Sequence, residues 1–317
     1  MEVTLIPGSG VGVQVTDVVR AAVARAGADV TWDEQNEPDA ALASARRTGL
    51  VLKGKWIATV QVGKLPPTVV FRRALGIHTI VRHVQNVPGL PARAQGVDIT
   101  IFREASEDIY AGFEHRSAEG VFETVKVTTR AACERIHRSA FEWARAHGRK
   151  RVTTVHKANI LKKSDGMFLA VGREVATGFP GLTHDDVIVD ALCMQIIRKP
   201  QAFDVLVAGN LFGDIVSDCA AGMAGGVTVA CGTGYGPGVT VFESPHGTTV
   251  EVVGPDGANP YPMLGLAVDL LRQSGQDAAA AKLRAACIGA LQAGMHSPDM
   301  GGTAGCSAIR DAVLERL

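Results

Sequence analysis

The sequence lacks a charge imbalance, a high aromatic content and any long apolar run. Its 317 residues include 32 Lys+Arg and 32 Asp+Glu, so the chain has no overall field that would attract nucleic acid or an anionic membrane. Aromatic residues make up 5% of the chain, too few for the stacking platforms of single-strand-binding proteins. No apolar run approaches the roughly 18 residues of a membrane span, and the N-terminus lacks a signal-peptide pattern. We therefore expect a cytoplasmic protein with no nucleic-acid and no membrane partner.

A cysteine motif is also missing. The six cysteines are scattered, without a C-x-x-C pair or a spacing typical of zinc sites. Free cysteine behaves largely as a small hydrophobe, so we expect reduced thiols in or near the core.

Helical and strand patterns alternate along the chain. Short apolar strands are predicted at 2–6, 98–102, 152–155 and 204–208, and helices at 128–147, 262–272 and 278–293. At roughly 150 residues per domain, the length predicts about two domains. The alternation is typical of α/β folds with parallel strands.

The first strand ends in a glycine-rich turn, Gly8-Ser9-Gly10-Val11-Gly12. This turn resembles a dinucleotide-binding fingerprint, but its third glycine comes one residue too early for G-x-G-x-x-G. We therefore interpret it as a structural turn.

Three arginines, Arg72, Arg82 and Arg103, form a spaced series. The planar fork of arginine matches carboxylates, so several arginines at one pocket would hold a small polyanion. Arg103 begins a polar stretch, 103–112, directly after a strand, which is where open α/β proteins place ligand groups. That stretch contains Tyr110.

Two further predicted strands are followed by charged residues. Lys157 comes after the strand at 152–155, and Asp214 and Asp218 follow the strand at 204–208. Positions i and i+4 share one face of a helix, so the two aspartates could coordinate one hard cation. Each residue alone is more often a surface charge or a salt-bridge partner. Together with the arginines and a tyrosine they predict metal-assisted oxidation of a hydroxy acid.

Longer motifs occur in a characteristic order. They are 102–112 (FREASEDIYAG), 156–162 (HKANILK), 210–214 (NLFGD) with Ser217 and Asp218, 242–248 (FESPHGT) and 258–260 (ANP). These motifs resemble the isocitrate and isopropylmalate dehydrogenases, also called β-decarboxylating dehydrogenases, nearly end to end. The central part is most similar to NAD-dependent isocitrate dehydrogenases.

The resemblance implies an α/β fold of the isopropylmalate dehydrogenase type, with two interleaved domains and a shared mixed sheet, rather than an ordinary Rossmann fold. A large cofactor-binding domain would contain residues 1–95 and 243–317. A small domain, residues 96–242, would form the interface of a homodimer. The partner subunit would contribute Lys157 and Asp190 to the active site, so a monomer would be inactive.

The resemblance also implies a role for each site residue. The residues that would bind the carboxylates of a small polyanionic, malate-like substrate are Arg72, Arg82 and Arg103. Those that would hold Mg²⁺ or Mn²⁺ are Asp214, Asp218 and the partner's Asp190. Lys157 would remove the hydroxyl proton as hydride leaves, and Tyr110 would protonate the enol carbon after CO₂ departs.

NAD is the cofactor that the resemblance implies. Glu251 stands where NAD-dependent relatives carry an acidic residue, and a carboxylate there accepts hydrogen bonds from ribose hydroxyls and repels a 2′-phosphate. The residues expected at the cofactor are His246, Gly247, Glu251, Val252 and Asn259.

The sequence departs from the family where the substrate's 3-substituent is recognised. Isocitrate enzymes have a serine and an asparagine ahead of the Arg72 position, where this chain has Pro66 and Thr68. It also lacks the Glu and paired Leu of isopropylmalate enzymes. Lys53 and Lys55 lie nearby in the sequence, so we expect Lys53 and Thr68 to meet a third anionic group.

These observations predict NAD-dependent oxidative decarboxylation of a 3-substituted malate to a 2-oxo acid and CO₂. Isocitrate is the first candidate, and a phosphonate such as 3-phosphonomethylmalate, in specialised biosynthesis, is a serious alternative. Isopropylmalate, homoisocitrate and tartrate are further candidates. The alternative from another class is a non-catalytic regulatory subunit of a hetero-oligomeric isocitrate dehydrogenase. The chain retains the catalytic residue types, which argues against this alternative.

Overall fold

The structure is a computed structural model that describes residues 1–56, 65–245 and 253–317. The predicted cofactor residues His246, Gly247, Glu251 and Val252 lie outside these ranges. Within the described ranges, no helix combines the length and the apolar character needed to cross a bilayer.

Strands and helices alternate as the sequence predicts. The strands are β1 Glu2–Ile6, β2 Thr31–Glu34, β3 Leu50–Lys53, β4 Thr79–Gln85, β5 Asp98–Glu104, β6 Glu114–Ala118, β7 Val121–Thr124, β8 Arg151–His156, β9 Thr183–Ile188, β10 Val205–Ala208, β11 Gly232–Gly236 and β12 Val239–Glu243. The α-helices are α1 Gly12–Arg25, α2 Pro38–Thr48, α3 Pro67–Ala74, α4 Arg130–Ala146, α5 Ser164–Ala176, α6 Val189–Arg198, α7 Asn210–Ala224, α8 Tyr261–Gln273, α9 Asp277–Gln292 and α10 Cys306–Leu314. The predicted strands and helices are confirmed, with ends that differ by at most two residues.

The chain divides into two compact units. Unit 1 contains Met1–Leu75, Asn86–Arg93 and Ala224–Leu317, and unit 2 contains Gly76–Gln85 and Ala94–Met223. Both chain ends therefore belong to unit 1. The predicted division into a cofactor-binding domain, 1–95 and 243–317, and a dimer-forming domain, 96–242, stays a prediction.

Unit 1 is built on a mixed sheet with the strand order β2-β1-β3-β12-β11. Strand β11 is antiparallel to β12, and the other neighbours are parallel. Helix α1 buries the apolar face that its spacing predicts, which consists of Val15, Val18, Val19, Ala22 and Val23. The apolar periodicity of the sequence thus determines which side of the helix faces the core.

The glycine-rich turn after β1 has a structural reason. Gly8 and Gly10 have φ values of 81° and 63°, which glycine adopts without steric cost. A Cβ atom on Gly12 would lie 2.0 Å from the carbonyl oxygen of Pro7. These glycines let the chain turn tightly from β1 into α1, in agreement with the interpretation of a structural turn.

Unit 2 contains a mixed sheet with the strand order β4-β5-β10-β8-β9. Strand β4 is antiparallel to β5, and the remaining neighbours are parallel. Because β10 lies between β5 and β8, the carboxyl ends of three parallel strands meet at one edge. The chain continues from these ends into the segments that hold Tyr110, Lys157 and Asp214.

Helix α4 covers this sheet with an apolar face whose residues recur at helical spacing. The Thr129 hydroxyl caps the helix by accepting the Ala132 N–H at 3.3 Å. The buried residues of the predicted face are Ala132, Ile136, Ala140, Phe141 and Ala144. Full burial of one large side chain such as Phe141 contributes about 1.5–3 kcal/mol. All six cysteines are free and at least half-buried, as expected.

A buried histidine lies within the core of unit 2. His137 Nδ1 donates to the carbonyl oxygen of Cys133 at 2.8 Å, and Nε2 accepts from the Thr154 hydroxyl at 3.1 Å. That hydroxyl accepts in turn from His184 Nε2 at 2.9 Å. In this arrangement of donors and acceptors the His137 ring is neutral. Burial accordingly lowers the pKa of His137 from 6.5 to about 4.

We expect the fold to lose stability as the pH falls from 6.5 towards about 4. In this window the unfolded chain binds a proton at His137 that the folded chain excludes. The His137 contribution is therefore complete above pH 6.5 and falls by on the order of 3 kcal/mol below it. Burial also lowers the pKa of His184, which adds a loss of the same sign. Urea unfolding across this pH range measures the effect.

His137→Gln is the matched variant, because glutamine offers a donor and an acceptor but does not titrate. Its stability should fall less steeply with decreasing pH than that of the wild-type chain. An identical pH dependence in both proteins would contradict the assignment.

Candidate active site

Two predicted arginines and two predicted aspartates meet in unit 2. Arg103, in β5, donates through Nε to Asn210 Oδ1 at 2.8 Å and contacts Asp214 through Nη1. Arg82, in β4, contacts Asp218 through Nη1, and its Nη2 lies 3.6 Å from Asp214 Oδ1. The structure thus pairs the candidate substrate-binding arginines with the candidate metal ligands.

The start of α7 explains this close approach. Helix α7 begins at Asn210, so Asp214 and Asp218 lie one turn apart on the same face. A Cβ atom on Gly213 would lie 2.8 Å from Arg103 Cγ. Glycine at this position therefore allows the helix to lie directly against β5.

Tyr110 belongs to the same group. It lies in a single 3₁₀ turn, Ile109–Ala111, and its hydroxyl donates to Asp214 Oδ2 at 2.6 Å. The guanidinium carbon of Arg103 is 5.1 Å from the centre of the tyrosine ring. Burial, together with the acceptor carboxylate of Asp214, raises the pKa of Tyr110. The phenol therefore remains a proton donor at neutral pH.

Arg82 retains the capacity to bind an anion. Within the part of the chain that the structure describes, Arg82 Nε is buried without a hydrogen-bond partner. A buried N–H of this kind costs about 1–3 kcal/mol until it is satisfied, and a carboxylate would satisfy it.

Asp214 and Asp218 fit part of a metal site. Carboxylate oxygens are the ligands that Mg²⁺ and Mn²⁺ prefer, and the two side chains stand one helical turn apart. Among residues 1–56, 65–245 and 253–317, no group of three or more His, Cys, Asp or Glu residues could hold a metal ion. A complete coordination sphere therefore needs ligands from the substrate, from water or from a second chain.

Lys157 and Asp190 pair with each other in unit 2. Lys157 directly follows β8, Asp190 lies in the first turn of α6, and Lys157 Nζ donates to Asp190 Oδ1 at 2.6 Å. This hydrogen bond lowers the pKa of Asp190. The Asp190 side chain is 68% exposed and that of Lys157 is 26% exposed, so both are accessible on the single chain. One chain does not unite Asp190 with Asp214 and Asp218 in a three-carboxylate group within its described residues.

The predicted substrate residues of unit 1 form a separate ionic group around Glu243. Lys53 is fully buried, and its Nζ donates to Glu243 Oε1 at 2.9 Å, Thr68 Oγ1 at 3.2 Å and the Gly54 carbonyl oxygen at 2.9 Å. Arg72 donates through Nε and Nη2 to Glu243 Oε2, at 2.9 Å and 2.7 Å. An ammonium group has three protons, and all three have acceptors here. Glu243 also neutralises part of the positive charge expected in this region.

Glu243 lies in the family motif at 242–248, but the sequence predicted no individual role for it. Burial disfavours its charged form, but the cations of Arg72 and Lys53 outweigh burial and hold the pKa of this carboxyl well below its usual range. In the parallel pairing of β12 with β3, Glu243 lies directly beside Lys53. The only sequence signal is a pair of opposite charges at the carboxyl ends of two strands that are 190 residues apart.

Asn259 is the one predicted cofactor residue within the described ranges. It is buried, and its Nδ2 donates to Thr228 Oγ1 at 3.0 Å and to Asp299 Oδ2 at 2.9 Å. Its Oδ1 accepts the Tyr261 N–H at 3.0 Å. All of these partners belong to unit 1. The contact of Asn259 with a cofactor stays a prediction, and the assignment of a nicotinamide cofactor rests on the family.

Known proteins match the chain over nearly its whole length. The family model described as isocitrate/isopropylmalate dehydrogenase matches residues 2–313. The alpha subunit of NAD isocitrate dehydrogenase from Homo sapiens is 36% identical, with 99% of this chain and 90% of that protein covered. Regulatory subunit 1 of NAD isocitrate dehydrogenase from Arabidopsis thaliana is 38% identical, with 99% and 89% covered. The crystal structure of isocitrate dehydrogenase from Methylococcus capsulatus superposes with a TM-score of 0.94 at 36% identity, and the match covers 99% and 98% of the two chains.

These similarities confirm the predicted fold class and the resemblance seen in the sequence motifs. They also confirm the predicted enzyme class, an NAD-dependent β-decarboxylating dehydrogenase. The chain belongs to the isocitrate/isopropylmalate dehydrogenase family.

Proposed function

We propose that the protein catalyses the oxidative decarboxylation of a 3-substituted malate with NAD. The observation that carries this proposal is the cluster of Arg82, Arg103, Tyr110, Asp214 and Asp218 in unit 2. Two guanidinium groups and one phenol face two carboxylates there. Substrate carboxylates would take the place of the aspartates at the arginines and leave the aspartates for a divalent cation.

The family implies a divalent metal, and we propose Mg²⁺ or Mn²⁺ held by Asp214, Asp218 and Asp190 of a second copy of the chain. When bound, such an ion would polarise the hydroxyl oxygen of the substrate and then the ketone oxygen. The exposed position of Asp190 beside Lys157 supports donation of both residues to another chain. A homodimer is part of this proposal.

Each protein group in the cluster has a chemical task. Arg82 and Arg103 would bind and orient the carboxylates, and Lys157 of the second copy would take the hydroxyl proton as hydride moves from C2 to NAD. Loss of CO₂ from the resulting keto acid would leave the electron pair of the broken C–C bond on an enolate. The Tyr110 phenol, kept protonated by burial and by Asp214, would then give its proton to the enolate carbon, which would restore the ketone and leave a phenolate.

The start of α3 supports recognition of a third group on the substrate. Helix α3 begins at Pro67, directly after the cap residue Pro66. Neither proline has an N–H to donate, so the Thr68 hydroxyl is the first side-chain donor there. Thr68 accepts from Lys53, which leaves its own proton for a substrate oxygen such as that of a carboxylate or phosphonate. The exposed side chains of Leu65 and Val70 on either side of Thr68 favour a second candidate, an apolar substituent as in isopropylmalate.

Steady-state assays of the purified chain with NAD⁺ and Mn²⁺ test the substrate class. We expect turnover of isocitrate or 3-phosphonomethylmalate to exceed that of isopropylmalate, homoisocitrate and tartrate, because Thr68 and Arg72 offer hydrogen-bond donors rather than an apolar pocket.

Thr68→Val should lower kcat/KM for the preferred acid by roughly tenfold or more, because the site's remaining polar groups lose a partner. A strict preference for isopropylmalate would overturn the anionic third group.

The alternative role is that of a regulatory subunit, and the similarity to regulatory subunit 1 of Arabidopsis thaliana gives it a specific basis. Turnover by the single purified chain would exclude it.

Subunit complementation tests the shared site. Homodimers of Tyr110→Phe and of Lys157→Met should each be nearly inactive. Their purified heterodimer should regain activity, because one of its two sites has both residues intact. A heterodimer as inactive as its parents would contradict the donation of Lys157 to the other subunit.

Direct metal titration tests the proposed ligands without turnover. Asp218→Asn should weaken Mn²⁺ binding by at least roughly tenfold, measured by the electron paramagnetic resonance signal of free Mn²⁺ in the presence of substrate. Glu142→Gln, which removes an exposed charge on α4, is the control and should bind Mn²⁺ as the wild-type protein does. Equal affinities of all three proteins would remove Asp218 from the metal site.

A cytoplasmic location of the protein remains part of the proposal.

A further inference from the structure

A second charged cluster, formed by Asp108, Lys126 and Asp165, lies in unit 2 and has no role in the proposed reaction. Asp108 and Asp165 are each 3% exposed. Lys126, just after β7, is half-buried, with its Nζ 2.8 Å from Asp165 Oδ1 and 3.7 Å from Asp108 Oδ2. One ammonium group therefore serves two buried carboxylates.

Asp165 anchors the segment that carries Lys157. It lies in the first turn of α5, and its Oδ2 accepts the backbone N–H of Lys157 at 2.7 Å. Oxygen Oδ1 is the atom that faces Lys126. The two oxygens of one carboxylate thus join Lys126 to the backbone of a proposed proton-transfer residue.

Asp108 anchors two further segments. Its Oδ1 accepts the N–H of Ile109 at 2.8 Å, at the start of the turn that carries Tyr110. Its Oδ2 accepts the N–H of Leu211 at 3.1 Å, at the start of α7, which carries Asp214. The carboxylate therefore links the turn after β5 to the helix after β10.

The backbone of Asp108 indicates that this carboxylate is required. Asp108 has φ 77°, a region in which glycine is unstrained and other residues cost on the order of 1–3 kcal/mol. Glycine would relieve the strain but would remove both hydrogen bonds. Such strain persists where the surrounding contacts outweigh it, and it is concentrated at functional sites.

Lys126 is well placed to hold both carboxylates. Its neighbour Val127 forms a backbone bridge with Asp108, in which the Asp108 N–H donates to the Val127 carbonyl oxygen at 3.0 Å. The Lys126 ammonium also lies 4.9 Å from the centre of the Phe212 ring in α7. Without this cation, two buried carboxylates would lose the ammonium group that they share, and unpaired buried charges are strongly destabilising.

We propose that Lys126 is a positioning residue that holds the backbones of Tyr110 and Lys157, together with the start of α7, in their working arrangement. The inference rests on the proposed function, since it assigns proton transfer to these two residues. Lys126 acts through Asp108 and Asp165 and contacts neither substrate nor cofactor. Because Lys157 would serve the second copy, Lys126 would affect both active sites of a dimer.

Kinetics of three variants in the homodimer test the proposal. Lys126→Met should lower kcat by roughly 10²-fold, because small displacements of reacting groups cost about that much. The KM for the preferred acid should change less than kcat, because Arg82 and Arg103 lie in β4 and β5, whose backbones Lys126 does not hold. Lys126→Arg keeps the charge and should recover most of kcat. Lys199→Met, which removes an exposed lysine of the same unit, is the control and should behave as the wild-type enzyme does.

Heterodimers separate the two positioning effects. Paired with Tyr110→Phe, a Lys126→Met chain supplies the only intact Tyr110, so the remaining rate reports the placement of Tyr110. Paired with Lys157→Met, the same chain supplies the only intact Lys157, and the rate reports the placement of Lys157. Both heterodimers should be much slower than the heterodimer of Tyr110→Phe with Lys157→Met.

Hydrogen exchange at the amides of Lys157 and Ile109 provides a readout that is independent of turnover. In Lys126→Met these amides should exchange roughly tenfold faster or more, because their acceptor carboxylates are less firmly held. If the wild-type chain turns over none of the tested acids, the proposed function fails, while the exchange rates still test the anchoring. Unchanged exchange and unchanged kcat in folded Lys126→Met would overturn the inference. The inference would also fail if the loss of activity were proportional to the fraction of Lys126→Met that is unfolded.

Gly209→Ala perturbs the same cluster if Lys126→Met does not fold. The new Cβ atom would lie 3.3 Å from Asp108 Oδ2 and 4.0 Å from Lys126 Nζ, so it crowds the carboxylate without changing the charge. A fall in kcat with an unchanged KM would support the role of the cluster, and wild-type kinetics would count against it.

Discussion

The parallel pairing of β10 with both β5 and β8 is the constraint on which the site in unit 2 depends. It places the ends of three strands, which are distant in the sequence, at one edge of the sheet. Arg103, Lys157 and the start of α7 occupy these ends. Backbone hydrogen bonds of the sheet thus set the spacing of the chemical groups, while the side chains that follow the strands set the chemistry.

Charge compensation within each unit is the second organising feature. In unit 2 the arginines contact Asp214 and Asp218, and in unit 1 Arg72 and Lys53 contact Glu243. A neutral chain can therefore contain strongly charged clusters, because their cations and carboxylates neutralise one another. Such clusters avoid the cost of unpaired buried charge.

Local elements and motif residues were predictable, because they depend on short-range rules. The apolar faces of α1 and α4 follow from helical periodicity, and the glycine turn after β1 follows from its composition. The family motifs also predicted that Arg82, Arg103, Tyr110 and Asp214 belong to one site, and the structure brings these four residues together. The acceptors within the protein for all three ammonium protons of Lys53 were not predictable, and its contact with substrate stays a prediction.

By itself, the sequence determined the family, the order of helices and strands and the identity of most candidate site residues. Only the tertiary structure decided which of them meet. Glu243 faces Lys53 because β12 pairs with β3 in one particular register, and Lys126 reaches Asp108 and Asp165 because three segments converge at the ends of β5, β8 and β10. Register and convergence are long-range properties of a packed sheet, so no spacing along the chain encodes them.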